Sequence, residues 1–272
     1  GELRAPADAL CAWANACHCP IAALDVPSGL DATTGRAASG AIDADLTVAF
    51  GALKTGLLVA DGPRVAGDVV TVEIGIPEVE METRATTWLA SRRWAGSRLP
   101  RRLADAHKYS AGRVLAVVGR RPYTGAAVLA TGAALRAGAG AVVAASPSSI
   151  RPTLDAHHPE VMVHGLPETD SGTLSADARD AILDRARSAD AVLIGCGLGR
   201  ANGTQALVRD LVQQIEAPVV LDADGLAAFD GDADAMRQRD GHLVLTPHLG
   251  ELRRLVGDAA WSPEDRVEAV RQ

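Results

Sequence analysis

Apolar positions along the chain gather in short uninterrupted runs that end at small and acidic residues. Buried parallel strands look like this when they deliver their C-terminal ends to a ligand crevice. Two runs stand out, Ile21-Ala-Ala-Leu-Asp-Val-Pro-Ser-Gly-Leu-Asp31 and Leu243-Val-Leu-Thr-Pro-His-Leu-Gly-Glu251. They lie about 220 residues apart, too far for one mononucleotide-binding unit, and so predict two modules. Up to about residue 80 the pattern predicts a helix over Ala7–Ala16 with Pro6 at its start, and strands over Ile21–Val26 and Leu46–Phe50. Asp68–Ile74 alternates Val, Thr and Glu as an edge strand does. Residues 81–105 turn to Arg, Thr, Trp and Ser without a clear period and mark the expected linker.

After His107-Lys108 a strand, turn and helix unit recurs. Strands are predicted at Val114–Val118, Ala141–Ala145, Ala191–Ile194, Pro218–Leu221 and Leu243–Leu245, and helices at Ala126–Arg136, Ala176–Ala186 and Thr204–Ile215. The alternation predicts an α/β fold with a mostly parallel sheet covered on both faces. A further helix is expected to start near Ser262, with Pro263 in its first turn and Asp265 answering the cap. With Gly rather than Met at position 1, both ends read as cut.

Composition narrows the function classes. In 272 residues, 47% apolar content sustains buried cores, and the net charge is -7. Basic residues are scattered except for Arg92, Arg93, Arg98, Arg101 and Arg102, so no nucleic-acid surface is expected. No run approaches the roughly 20 apolar residues of a membrane span, and no signal segment opens the chain. No membrane association and a cytoplasmic location are the expectations. Four cysteines, three of them Cys11, Cys17 and Cys19, make no disulfide framework, and reduced thiols are expected. Cys17-His18-Cys19 falls short of the four ligands of a structural zinc site.

The candidate chemistry sits at the strand ends. Gly195-Cys-Gly-Leu-Gly199 precedes a helix, so its amides can face a phosphate; a tight packing turn explains the same glycines equally well. Asp222 and Asp224 would point to one side of an extended chain, able to orient a hydroxyl or hold Mg2+ through water, unless one caps the helix beginning near Gly225. His248, just after Pro247, can donate from a neutral imidazole to a ribose or amide group. In Tyr123-Thr-Gly-Ala-Ala127, Gly125 and Ala126 admit a flat ligand or merely pack a helix. In the first module Asp25 can accept from a ribose hydroxyl or relay a proton, and Ser28 offers oxygens to a hard cation. Asp31 reads as a turn residue, with Gly35 closing the loop.

Together these strings resemble the bifunctional NAD(P)H-hydrate repair enzymes, in which an epimerase domain precedes a ribokinase-like dehydratase domain. The first module carries Leu24-Asp-Val-Pro-Ser-Gly-Leu-Asp31, Phe50-Gly-Ala-Leu-Lys-Thr-Gly56 and Ile74-Gly-Ile-Pro77. The second carries His107 to Val114, Thr124-Gly-Ala-Ala127, Ala133 to Gly140, Gly195 to Gly199, Leu221 to Leu226 and Thr246 to Glu251. The resemblance implies a partial Rossmann-like epimerase domain over 1–80, a linker over 81–105 and part of a three-layer α/β/α dehydratase domain over 106–272. It implies that Asp25 contacts the hydrated nicotinamide nucleotide and that Ser28 binds K+. It further implies that Ala126, Gly197 and His248 line the pocket for the S-epimer, and that the dehydratase uses ADP or ATP with Mg2+. A homo-oligomer is expected.

The family's Asn-Asn-Gly-Gly-Asp loop would precede Gly1. Its Lys-Gly-x-x-Thr loop and the Gly-Thr-Gly-Asp segment with the catalytic base would follow Gln272. No catalytic base is therefore assigned within the chain, and at most trace activity is expected of it alone. The competing readings are a ribokinase-like kinase of a vitamin precursor, which lacks the first module, and a non-catalytic epimerase-like binding scaffold.

Overall fold

The computed structural model describes residues 2–100, 108, 110–257 and 266–271. His107 and the helix start expected at Ser262–Asp265 lie outside the described residues. Two compact units divide the chain, Gly1–Leu99 with Ala260–Gln272, and Pro100–Ala259.

The first unit contains α1 (Ala7–Ala16), β1 (Ala22–Leu24), β2 (Leu46–Phe50), α2 (Gly62–Val65), β3 (Asp68–Val72), α3 (Glu78–Arg84) and α4 (Arg92–Arg98). Its three strands pair in parallel in the order β1-β2-β3, with Ala23 opposite Thr47 and Val48 opposite Val70. The strand expected over Ile21–Val26 is shorter because Asp25 turns to φ +68°, which a pleated strand does not accommodate. β3 lies at the sheet edge and stops at Val72. Leu30, Ala49, Leu57, Val65 and Ala66 form a small core beneath the sheet. In the loop after β1, Asp31 Oδ1 accepts from the amides of Thr33 at 2.9 Å and Thr34 at 2.7 Å, and Gly35 N donates to the Asp31 carbonyl. The Asp31 reading therefore has its geometry, and these amides, Thr34 first, hold the carboxyl below its ordinary range.

Within the expected linker 81–105 lie the end of α3 and the whole of α4. Ser91 caps α4, its hydroxyl accepting from Trp94 N at 3.1 Å, while α3 has Glu78 and Glu80 in its first turn and Arg84 in its last. Neither helix buries a residue, so neither needs an apolar stripe for a period to reveal.

The second unit runs β4 (Arg113–Val117), α5 (Gly125–Arg136), β5 (Ala141–Pro147), α6 (Arg151–His157), β6 (Met162–Leu166), α7 (Arg179–Ala186), β7 (Ala191–Ile194), α8 (Asn202–Gln214), β8 (Val219–Leu221), β9 (Leu243–Leu245) and α9 (Leu249–Val256). A short α10 (Arg266–Arg271) follows and groups with the first unit. The helix expected over Ala176–Ala186 begins as a 3-10 turn at Ala176–Ala178. All six strands pair in parallel, in the order β6-β5-β4-β7-β8-β9. Counted from β4 this is 3-2-1-4-5-6, a doubly wound order whose direction reverses between β4 and β7.

Alternation along β4 sets the layers. Leu115 and Val117 join Ile182 and Leu211 in one buried cluster, whereas Ala116 and Val118 join Ala127 and Leu154 in another. The sheet is thus covered on both faces, giving three α/β/α layers. No helix among the described residues is long and apolar enough to cross a membrane.

Candidate functional site

In the second unit the strand tips are laced together by their backbones. Gly119 N donates to the Cys196 carbonyl at 2.9 Å, Gly195 N to Val117 at 3.2 Å, Asp222 N to Ile194 at 3.0 Å and Thr246 N to Leu221 at 3.4 Å. The ends of β4, β7, β8 and β9 therefore make one continuous edge, with the switch of winding between β4 and β7 at its centre. Such a switch leaves a crevice because the connections on either side leave in opposite directions.

Gly195-Cys-Gly-Leu-Gly199 lines that crevice. Gly197 has φ +73°, and a Cβ built there would stand 3.0 Å from the Ala126 Cβ. Two of the expected pocket residues, Ala126 and Gly197, are thereby brought together. At Gly125 an added Cβ would meet nothing within 4 Å, so this helix start faces open space. Neither α5 nor α8 has a side-chain cap on its first turn, which leaves amides at both helix starts for water or an anion.

The reading of the two aspartates is corrected. Ala223 at φ +49° breaks the extended geometry between them, and Asp222 makes no capping bond to the 3-10 helix Ala223–Phe229. Asp224 instead accepts from Gly199 N at 2.8 Å and pairs with Arg200 at 3.3 Å, bracing the glycine loop from below. Gln205 Nε2 completes the brace by donating to the carbonyls of Gly199 at 3.1 Å and Asp224 at 3.0 Å. Asp222 Oδ2 faces the Cys196 thiol at 3.6 Å. Burial, with Asp222 adding to it, pushes that thiol up to about 12, so Cys196 stays protonated and is no nucleophile at neutral pH.

His248 has a structural task as well as its place on the edge. Its Nδ1 accepts from Gly250 N at 3.0 Å and Glu251 N at 3.3 Å, and Glu251 Oε2 accepts from His248 N at 2.9 Å. This is a capping box for α9 built on histidine. With Nδ1 accepting, the proton sits on Nε2, which faces Glu251 Oε1 at 3.4 Å. β8 separates β9 from β7, so His248 stands about 10 Å along the edge from Gly197 by strand spacing.

In the first unit Asp25 lies where β1 stops. Its Oδ1 accepts from Phe50 N at 2.9 Å and forms an ion pair with Lys54, whose Nζ also donates to the Phe50 carbonyl at 2.8 Å. Lys54 first, then the Phe50 amide, hold the Asp25 carboxyl below its ordinary range. Sequence reading quoted Lys54 only inside a motif. The signal available was its place four residues past the end of β2, beside the strand that carries Asp25. Lys54 lines an open groove of about 1080 Å3 with Thr33, Thr55, Met81 and Trp88. Ser28 sits exposed in the following turn, its carbonyl accepting from Ile42 N at 2.9 Å.

A hard cation wants about six to eight oxygens. Ser28 offers a hydroxyl and one carbonyl already engaged, while the neighbouring Pro27 and Gly29 carbonyls accept from Leu30 N and Ala38 N. That is no shell for K+. For Mg2+, Asp224 is committed to the glycine loop and Asp222 stands alone. Among the described residues no three His, Cys, Asp or Glu side chains gather to hold a metal, Cys17, His18 and Cys19 included.

Comparison with known proteins agrees with both units. Residues 114–272, more than half the chain, match the family model described as NAD(P)H-hydrate dehydratase, and residues 1–56 match that of the YjeF-related protein N-terminus. The chain is 43% identical over 279 residues to the bifunctional NAD(P)H-hydrate repair enzyme Nnr of Salinibacter ruber, covering 99% of this chain and 51% of that protein. It is 44% identical over 256 residues to Nnr of Moorella thermoacetica, covering 93% and 48%. The chain thus spans about half the length of these relatives. A solved ribokinase-like superfamily protein from Enterococcus faecalis superposes with TM-score 0.51 at 24% identity, covering 63% of this chain and 57% of that one, and speaks to the fold alone. The kinase alternative loses its footing because its architecture has no YjeF-related module. With two family models matched in order, the chain belongs to the NAD(P)H-hydrate dehydratase family, with a YjeF-related N-terminal module ahead of the dehydratase module.

Proposed function

We propose that the chain serves nicotinamide nucleotide repair: the first unit takes part in interconverting R and S NAD(P)H hydrate, and the second in ADP- or ATP-dependent dehydration of the S-epimer. The observation that carries this reading is the pairing of two family modules, each with an open row of parallel strand tips. The domain limits taken are 1–80 and 106–272, joined by 81–105. A cytosolic homo-oligomer is the expected form.

The chemistry explains the need for a nucleotide. Hydroxide leaves poorly, and converting the ring hydroxyl to a phosphate ester makes elimination easy. The task left to the protein is to bring a phosphoryl donor and a flat ring together and to exclude water. Ala126 and Gly197 supply a surface without side-chain bulk for the ring, His248 an exposed polar ring at its far end, and the uncapped starts of α5 and α8 a seat for phosphate. In the first unit Asp25 accepts from the nucleotide. The resemblance places K+ near Ser28 and Mg2+ with the nucleotide, and neither Ser28 nor Asp222 makes a shell for its ion among the described residues.

A thermal-shift series tests the reading. A ligand at 100 times its Kd stabilises by about 2.7 kcal/mol, roughly 5–10 °C for a unit of this size. NADPH hydrate and ADP with Mg2+ are expected to produce such shifts. A response to a pyrimidine alcohol and not to the hydrate would instead favour the kinase reading, and no response to any of them the scaffold.

A further inference from the structure

Lys54 does more than balance a surface charge. An exposed ion pair contributes little to stability, and that explanation gives no reason for an aspartate at φ +68°, a region that non-glycine residues seldom occupy outside functional sites. Here the strained residue is paired to a lysine that itself lines the groove. Both protein donors, Phe50 N and Lys54 Nζ, fall on Asp25 Oδ1. The lysine is itself tethered, because its ammonium also donates to the Phe50 carbonyl at 2.8 Å. Phe50 therefore grips the Asp25–Lys54 pair at both of its backbone polar atoms, and the pair cannot swing without breaking those bonds.

We propose that Lys54 is a positioning residue for Asp25: tethered to the Phe50 carbonyl, it fixes the carboxylate through Oδ1 and leaves Oδ2 to accept from a hydroxyl or amide N–H of the nucleotide. This rests on the reading of Asp25 as a ligand-binding residue and deepens it. The volume beside the pair suits an extended nucleotide better than a single ring, since about 1080 Å3 lies at the top of the usual range for small-molecule sites. Lys54 lines that groove with a quarter of its side chain exposed, at 26%. No other charged group contributes to holding Asp25 ionised among the described residues.

The test uses the full chain labelled with 13C at aspartate carboxyls, as wild type, Lys54→Met, Lys54→Arg and Asp25→Asn. NMR follows the titration of Asp25, and calorimetry gives the Kd for NADPH hydrate. The expected result is an Asp25 that titrates below the exposed aspartates in wild type, returns to their range in Lys54→Met and stays low in Lys54→Arg. The Kd is expected to rise about tenfold in Lys54→Met, to recover in Lys54→Arg, and to rise at least as much in Asp25→Asn. Should Lys54→Met lower the melting temperature, Lys54→Gln supplies the same readouts. An Asp25 titration unmoved by loss of Lys54, or a Kd unmoved in Lys54→Met while Asp25→Asn weakens binding, overturns the positioning role and leaves the Asp25 reading standing. A Kd unmoved in Asp25→Asn as well overturns the reading of Asp25 itself.

Discussion

At the scale of single residues, what a position does is decided by partners that the linear chain brings near only after folding. Gly197 and Ala126 were singled out by the resemblance, since the letters alone allowed a packing turn and a packed helix equally well, and the fold brings the two together. Lys54 and Gln205 were not legible, because their meaning lies in Asp25 and Asp224, 29 and 19 residues away. His164 is a further case. Burial first, then the charges of Arg185 and Arg151, hold its imidazole below the ordinary range. The unfolded chain binds that proton more readily than the folded one, so the contribution of His164 to stability is complete above about pH 6.5 and is lost as pH falls below it. Asp25 and Asp31, held low, lose their contributions only below about pH 4 and leave the window clear. Denaturant melts between pH 7.5 and 5.5 are expected to show declining stability in wild type and a flatter profile in His164→Gln. Equal slopes in both would remove this account of His164.

At the scale of elements, periodicity read well wherever burial imposes it. The strands Leu46–Phe50 and Ala191–Ile194 have the limits that their apolar runs predict, whereas Leu243–Leu245, expected to be buried, keeps its limits as an edge strand with Val244 and Leu245 exposed. β6 escaped notice because Met162-Val-His-Gly-Leu166 lies at the sheet edge, interrupted by His164 and Gly165 and only half buried. α3 and α4 escaped for the related reason that they bury nothing. At the end of β9 His248 caps α9, and the proposed function gives it a second task in binding. Losing an N-cap lowers stability by about 1 kcal/mol. His248→Ala is expected to lose about that much, and His248→Asn, which keeps a capping oxygen, to regain most of it. NADPH hydrate binding, measured by calorimetry, is expected to weaken in both variants. Full binding by His248→Asn would reduce His248 to a cap.

At the scale of the whole molecule, the order of strands across each sheet is the property that the chain conceals. Alternating strands and helices imply parallel pairing and two covered faces, yet 3-2-1-4-5-6 and its rivals share the same periodicity. The resemblance to repair enzymes supplied an expected architecture, and the observed order supplies the crevice between β4 and β7. Once that order is known, the Gly119, Gly195 and Ala126 positions fall at one place, and bracing by Asp224 and Gln205 follows from it. The central claim is that both sheets present their C-terminal strand tips to one damaged nucleotide chemistry. Hydrogen exchange read by mass spectrometry, with and without NADPH hydrate, ADP and Mg2+, tests it most directly. Protection is expected at residues 119–126, 195–199 and 222–226 of the second unit and at 25–33 and 50–55 of the first. Protection confined to the opposite strand ends, or exchange unchanged at both rows of tips, would contradict it.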